Sequence, residues 1–178
     1  MDSPRAPRLT AADYDQMVCD DHLRYELLDG VLVTSPRSDS THSRVHFNLA
    51  GDIRHALRGQ KRCQGFNELE LQINDDTILI PDIMIIYGQD QLTKQRYLGV
   101  PLIVIEILSP SSMRIDLVYK LNTYQALGVS EYWIVDPELG AITLHDFANV
   151  TTTRLHDQDT IRSLAVPEIV IDLGPVFA

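Results

Sequence analysis

The chain has 178 residues, enough for one domain with a full apolar core. Hydrophobic residues make up 44% and charged residues 22%, as in an ordinary soluble globular protein, and no apolar run approaches the ~20 residues of a membrane helix. The formal net charge of -10 excludes a broadly basic, generic nucleic-acid-binding surface; solubility explains that charge equally well.

The elements are predicted in chain order. The N-terminus, Met-Asp-Ser-Pro-Arg, leads into no apolar signal core, and residues 1–12 read as a loose, Pro-rich arm. Thr10 followed by Asp13 forms a capping-box pattern that opens a short helix to about Met17. Tyr25-Glu-Leu-Leu28, Asp29-Gly30 and Val31-Leu-Val-Thr34 spell a hairpin, followed by a turn-rich loop. From His42 to Leu57, the residues Val45, Leu49, Ile53 and Leu57 repeat every four positions, one face of a helix that Gly59 stops.

Phe66 to Ile73 alternates strictly and predicts one half-solvated strand. Leu79-Ile-Pro-Asp-Ile-Met-Ile-Ile86 and Leu102-Ile-Val-Ile-Glu-Ile-Leu108 read as strands buried on both faces, joined by a polar connection over 88–100. Ser109-Pro-Ser-Ser112 offers caps for a helix from about Met113 to Leu127, ended by Gly128. Strands follow over 131–136 and 141–147, with shorter ones between 151 and 172. The predicted class is α/β with a mixed sheet, in a single domain over 1–178.

Two of these apolar runs each carry one carboxylate in mid-run, Asp82 and Glu106. A lone ionised carboxylate in an apolar interior is costly unless a cation or donors compensate it. Two in strands close in sequence point to a shared cation, and their hard oxygens suit Mg²⁺ or Mn²⁺. Neither run contains His or Cys, so zinc fits less well. Lys120 lies at the edge of the helical stripe of Leu117, Leu121 and Tyr124; from spacing alone it either reaches over the strand ends or pairs with Asp116 on a solvated face.

Pro81-Asp82, Glu106 in a following apolar strand and then a lysine resemble the PD-(D/E)XK nuclease superfamily. More narrowly the chain resembles the Uma-two family of restriction-endonuclease-like bacterial proteins. The matching segments are Tyr25 to Gly30, Ser35-Pro36 with His42, Pro81-Asp82, Glu106-Ile-Leu-Ser-Pro110, Asp116 through Lys120 to Tyr124, and Gly128 to Pro137. One departure matters: Leu108 stands where the superfamily pattern has its lysine.

The resemblance implies a restriction-endonuclease-like core, a mixed sheet flanked by helices, and Mg²⁺- or Mn²⁺-dependent cleavage of DNA. It implies that Asp82, Glu106 and the Ile107 carbonyl hold the ion, that Lys120 takes over the missing lysine's role, and that Glu26 adds a further acid. Glu26 reads equally well as an exposed strand carboxylate. The rivals are a catalytically silent domain that binds nucleic acid or a protein partner, and an enzyme acting on another phosphate ester.

Other features carry less. His42 and His46 lie four apart without the following Glu of a zinc protease, although the resemblance brings His42 near phosphate. Cys19 and Cys63 read as free thiols in a reducing cytoplasm. Tyr132 and Trp133 read as core. Arg54, Arg58, Lys61 and Arg62, with Lys94 and Arg96, form either a phosphate-binding patch or a set of solvated side chains. A homodimer is the commonest assembly for such a chain.

Overall fold

The structure, a computed structural model, describes residues 8–17, 22–36, 39–109 and 115–178, with Asp116 through its backbone alone. Cys19 and the cap positions Pro110 to Ser112 lie outside the described residues.

Helix α1 (Ala11–Asp15) opens on the expected capping box, Thr10 Oγ1 accepting from the Asp13 N–H and the Asp13 carboxylate from the Thr10 N–H. The arm expected over 1–12 is corrected in its last part. Leu9 N–H donates to the Gly30 carbonyl, Ala11 N–H donates to the Asp75 carbonyl, and Ala11 packs on Leu27 and Ile78. Strands β1 (Leu23–Leu28) and β2 (Val31–Pro36) form the hairpin, with Asp29 and Gly30 both at positive φ, 48° and 75°. Helix α2 (Ser40–Ala56) starts at Asp39, whose side chain accepts from the His42 N–H at 2.9 Å. It buries Val45, Leu49 and Ile53.

The next residues alternate between two sheets. Strands β3 (Cys63–Asn67), β4 (Glu70–Asn74), β5 (Thr77–Leu79), β6 (Ile83–Tyr87), β7 (Arg96–Tyr97) and β8 (Ile103–Ile107) are followed by a π-helical stretch, Ile115–Lys120. It runs into α3 (Leu121–Leu127), closed by Gly128 at φ 91°. Strands β9 (Glu131–Asp136), β10 (Ala141–Asp146), β11 (Thr151–His156), β12 (Thr160–Arg162) and β13 (Val170–Asp172) precede a short helix α4 (Leu173–Phe177).

A six-stranded sheet runs β11-β10-β9-β8-β6-β3, a five-stranded sheet runs β2-β1-β5-β4-β7, and β12 pairs with β13. Both larger sheets are mixed: β8 and β9 are parallel across the helical crossover, and β4 and β7 are parallel without an intervening helix. The class is therefore mixed α/β with helices flanking the sheets, as read from the sequence.

Two strand expectations need correcting. The alternating run 66–73 is two strands, because the chain leaves the six-stranded sheet at Glu68, which sits at φ 50°. The run 79–86 is also two strands, since β5 belongs to the five-stranded sheet and β6 to the other. Pro81 has no N–H to give a ladder, so this is where a continuous strand would be broken. Asp82 therefore stands at a seam between sheets and not in mid-strand.

The six-stranded sheet separates two apolar layers. Ile103, Ile105 and Ile107 face α2 and the C-terminal Ile169 and Val176, whereas Val104 and Leu108 face Tyr124, Tyr132 and Leu79. Tyr132 and Trp133 are fully buried, as expected of core residues.

The C-terminal segment is tied to this sheet by one buried carboxylate. Glu131 Oε1 accepts from Ser163 Oγ (3.1 Å), Leu164 N–H (2.7 Å) and Ala165 N–H (2.8 Å), and Oε2 accepts from Trp133 Nε1 (2.9 Å). Glu131→Gln would aim an amide donor at one of these donors. We expect a loss of about 2–3 kcal/mol, read as a lower urea midpoint with an unchanged slope. An unaltered midpoint would mean that the anchor is dispensable.

Candidate functional site

The two crossings between sheets are stitched together where the acids lie. Glu68 N–H donates to the Asp82 carbonyl at 3.1 Å, and His46 Nε2 donates to the same carbonyl at 3.0 Å. β6 pairs antiparallel with β8 through Ile83 and Ile105. Asp82 immediately precedes Ile83 and Glu106 immediately follows Ile105, so the two acids stand one position beyond that pair on neighbouring chain segments.

Asp82 is 1% exposed and all of its acceptor positions are used. Oδ1 accepts from Arg24 Nη1 and Nη2, both at 3.0 Å. Oδ2 accepts from the Ile107 N–H at 2.7 Å and from His42 Nε2 at 3.2 Å. His42 therefore carries its proton on Nε2, while its Nδ1 is buried without a hydrogen-bond partner. Burial alone would raise the Asp82 pKa. The His42 hydrogen bond, the Arg24 charge and the Ile107 N–H outweigh it and hold the carboxyl well below the usual carboxylate range.

Glu106, 2% exposed, is compensated by the helical segment that follows β8. Lys120 Nζ donates to Oε1 at 2.9 Å, and the Tyr124 hydroxyl donates to the same oxygen at 2.9 Å. Burial, reinforced by the Glu106 charge, pushes the Tyr124 phenol well above its usual value. Lys120 Nζ also lies 3.1 Å from Glu26 Oε1, which accepts from the Ile80 N–H at 2.8 Å. Glu26 is thus buried at the break between β5 and β6, not exposed on the hairpin. Lys120 is 2% exposed, which rules out a solvated-face pair.

Arg24 is the site residue that the sequence reading missed. It stands two positions before Glu26, so both side chains project from one face of β1. That spacing was the available signal, but nothing in it indicated that β1 would lie against the seam. Burial would lower the Arg24 pKa, but the surrounding Asp82, Glu106, Glu26 and Glu68 raise it further. Nη2 also reaches Glu68 Oε1 at 3.2 Å.

A cleft of about 650 Å³ opens beside the seam, lined among others by Arg24, His42, His46, Phe47, Glu68 and Glu70. Phe47 is 79% exposed at its edge. Of the basic residues expected as a patch, Arg54, Arg58, Lys61, Arg62 and Lys94 are exposed, and Arg62 pairs with Glu168 at 2.8 Å. Arg96 does not belong with them: it is buried, bonded to Asp15, Glu70 and Gln72. Cys63 is a half-buried free thiol whose pKa burial raises. No helix among the described residues is long and apolar enough to cross a membrane.

A family model described as "Putative restriction endonuclease", Uma2, matches residues 11–174. The chain belongs to the Uma2 family. A relative, the uncharacterized protein sll1609 of Synechocystis, is 26% identical over 133 residues, 72% of this chain and 75% of the relative. A solved structure described as a putative nuclease belonging to DUF820, from Anabaena variabilis, superposes with a TM-score of 0.82 at 17% identity. It covers 95% of this chain and 97% of that one, and establishes the likeness of fold.

For this Uma2 chain, the donor chemistry at the seam fits a hard divalent cation. Two carboxylates, Asp82 just before β6 and Glu106 near the end of the adjacent β8, lie one position beyond the Ile83–Ile105 pair, and Ile107 adds a backbone carbonyl next to Glu106. Among the described residues no three His, Cys, Asp or Glu side chains cluster into a cage. One or two carboxylates completed by carbonyl and water oxygens is the usual environment of Mg²⁺. The position against Asp82 Oδ1 is taken by a cation already, the Arg24 guanidinium.

Because the folded-state pKa of Asp82 is depressed, its contribution to stability is present above the ordinary Asp value and lost as pH falls toward the folded one. The stability gap between wild type and Asp82→Asn should therefore narrow progressively below about pH 4. A gap that stays constant on acidification, measured by urea unfolding, would contradict the ionised, saturated carboxylate. Lys120→Met should cost about 3–5 kcal/mol by stranding the Glu106 and Glu26 carboxylates in the interior. Adding Glu106→Gln should restore part of that loss, and an additive double variant would show that the two groups are not coupled.

Proposed function

We propose that this chain is a divalent-metal-dependent nuclease acting on DNA. The observation that supports the reading most is the arrangement at the seam in a Uma2 chain: Asp82 just before β6 and Glu106 in the neighbouring β8 are buried one position beyond a paired Ile83 and Ile105, and Lys120 is hydrogen-bonded to Glu106. In this reading Asp82, Glu106 and the Ile107 carbonyl hold one Mg²⁺ or Mn²⁺ ion, which when bound supplies an acidified water and offsets charge on a phosphodiester.

The chain's own residues then have distinct tasks. Lys120 compensates the buried carboxylates of Glu106 and Glu26 and contributes positive charge where negative charge grows on the phosphate. Tyr124, from the same helix, fixes the orientation of the Glu106 carboxylate. His42 and the Ile107 N–H fix Asp82 Oδ2, which leaves Oδ1 as the oxygen held by Arg24. Glu26 fastens the break before Pro81 through the Ile80 N–H.

A second reading, a catalytically silent nuclease-like domain that binds nucleic acid or a protein, is favoured by one observation. Every acceptor position of Asp82 is already filled by protein donors.

The deciding experiment incubates the protein with supercoiled plasmid and with single-stranded DNA, in Mg²⁺ or Mn²⁺, beside Asp82→Ala and Glu106→Ala. Metal-dependent cleavage by the wild type that falls by about 10²-fold or more in both variants is the expected result. Equal cleavage by the variants would reject this site. Retention of DNA in a gel-shift assay without cleavage would select the silent reading.

A further inference from the structure

Asp82 cannot serve the protein donors described above and a metal ion at the same time. An ionised carboxylate offers about four lone-pair positions, and here two are used at each oxygen. The donors to Oδ2 are built into the fold. The Ile107 N–H belongs to the backbone of β8, and His42 is a buried residue on the first turn of α2. The donor to Oδ1 is different. Arg24 has a side chain 19% exposed, lines the cleft, and already shares Nη2 between Asp82 and the largely exposed Glu68.

We propose that Arg24 is an exchangeable internal cation. It occupies the divalent-ion position against Asp82 Oδ1 and must release that oxygen, keeping Glu68 as its second anchor, before the ion enters. This rests on the metal-dependent reading above and adds a positioning residue to it. With the ion absent, the guanidinium neutralises Asp82 and keeps the seam closed. With the ion present, a pivot about Glu68 leaves the same guanidinium on the cleft wall, where a backbone phosphate would lie. The loss of the Asp82 contact is compensated by the incoming charge, so Arg24 lowers metal affinity without being a ligand.

The test is direct binding of Mn²⁺, followed by the loss of the free-ion paramagnetic resonance signal, to wild type, Arg24→Lys, Arg24→Met and Asp82→Asn, with no DNA present. Arg24→Lys keeps the charge and loses the two-pronged contact, so it separates that contact from the general field. Both Arg24 variants should bind Mn²⁺ about tenfold more tightly than wild type, the ratio expected for one charge-assisted hydrogen bond, and Asp82→Asn should bind at least tenfold more weakly. Wild-type affinity in Arg24→Lys would overturn the proposal even if Arg24→Met binds tightly, because a field effect would then suffice. Binding that survives Asp82→Asn would also overturn it. Should Arg24→Met fail to unfold cooperatively, the Lys variant decides alone. No Mn²⁺ binding by any variant at millimolar concentration would overturn the metal-dependent reading itself, whereas ordinary wild-type binding with unchanged Arg24 variants would overturn only the exchange.

Discussion

A carboxylate deep in an apolar interior must be compensated by charge or donors, and in this fold that requirement arises where two sheets meet. Asp82 and Glu106 are both nearly inaccessible, and each draws its partners from other elements: β1 supplies Arg24, α2 supplies His42, and the helix after β8 supplies Lys120 and Tyr124. The seam is therefore fixed by charge as much as by packing. A buried ion pair is weak evidence for stability, since apolar side chains of similar volume often do as well or better. Replacing either acid alone would strand its buried partners, so the carboxylates and their donors act on the fold as a set.

Much of this was legible in the residue order. The run Leu102 to Leu108 is apolar at every position but Glu106 because β8 lies between β6 and β9 with a cluster on each face, and that environment leaves an unmistakable composition. The hairpin at Asp29-Gly30 and the stripe of α2 were equally plain, since both depend on local geometry. The runs 66–73 and 79–86 each read as one strand because alternation and apolar content continue across the break. The departure to the other sheet is made by one residue at positive φ in the first case and by a proline in the second, and periodicity registers neither.

The helix that carries Lys120 shows a different limit. Its first part is π-helical, so the stripe expected from a 3.6-residue period is displaced: Leu117 and Val118 are exposed while Lys120 and Tyr124 are buried. A regular helix would have placed the ammonium at the rim of the apolar face, where spacing alone left its role open. Arg24 was illegible for a simpler reason. Its partner Asp82 is 58 residues away, and only the docking of β1 beside β5 brings them together.

The same pairing bears on how an acidic chain could handle a polyanion. The cations at the seam do not project a positive field, because Arg24 and Lys120 are each surrounded by two or more carboxylates. Exposed basic residues lie elsewhere, around the exit of α2, and one of them is paired with Glu168. Long-range steering of a phosphate backbone toward the cleft is therefore weak, and at ionic strengths where the Debye length is about 8–10 Å it falls further. Attraction at the site has to arise locally, from whichever positive charge is freed when an acid changes partner. The exchange proposed for Arg24, from Asp82 to the cleft wall, would be such a change and would link occupation of the acids to the capacity to hold a phosphate.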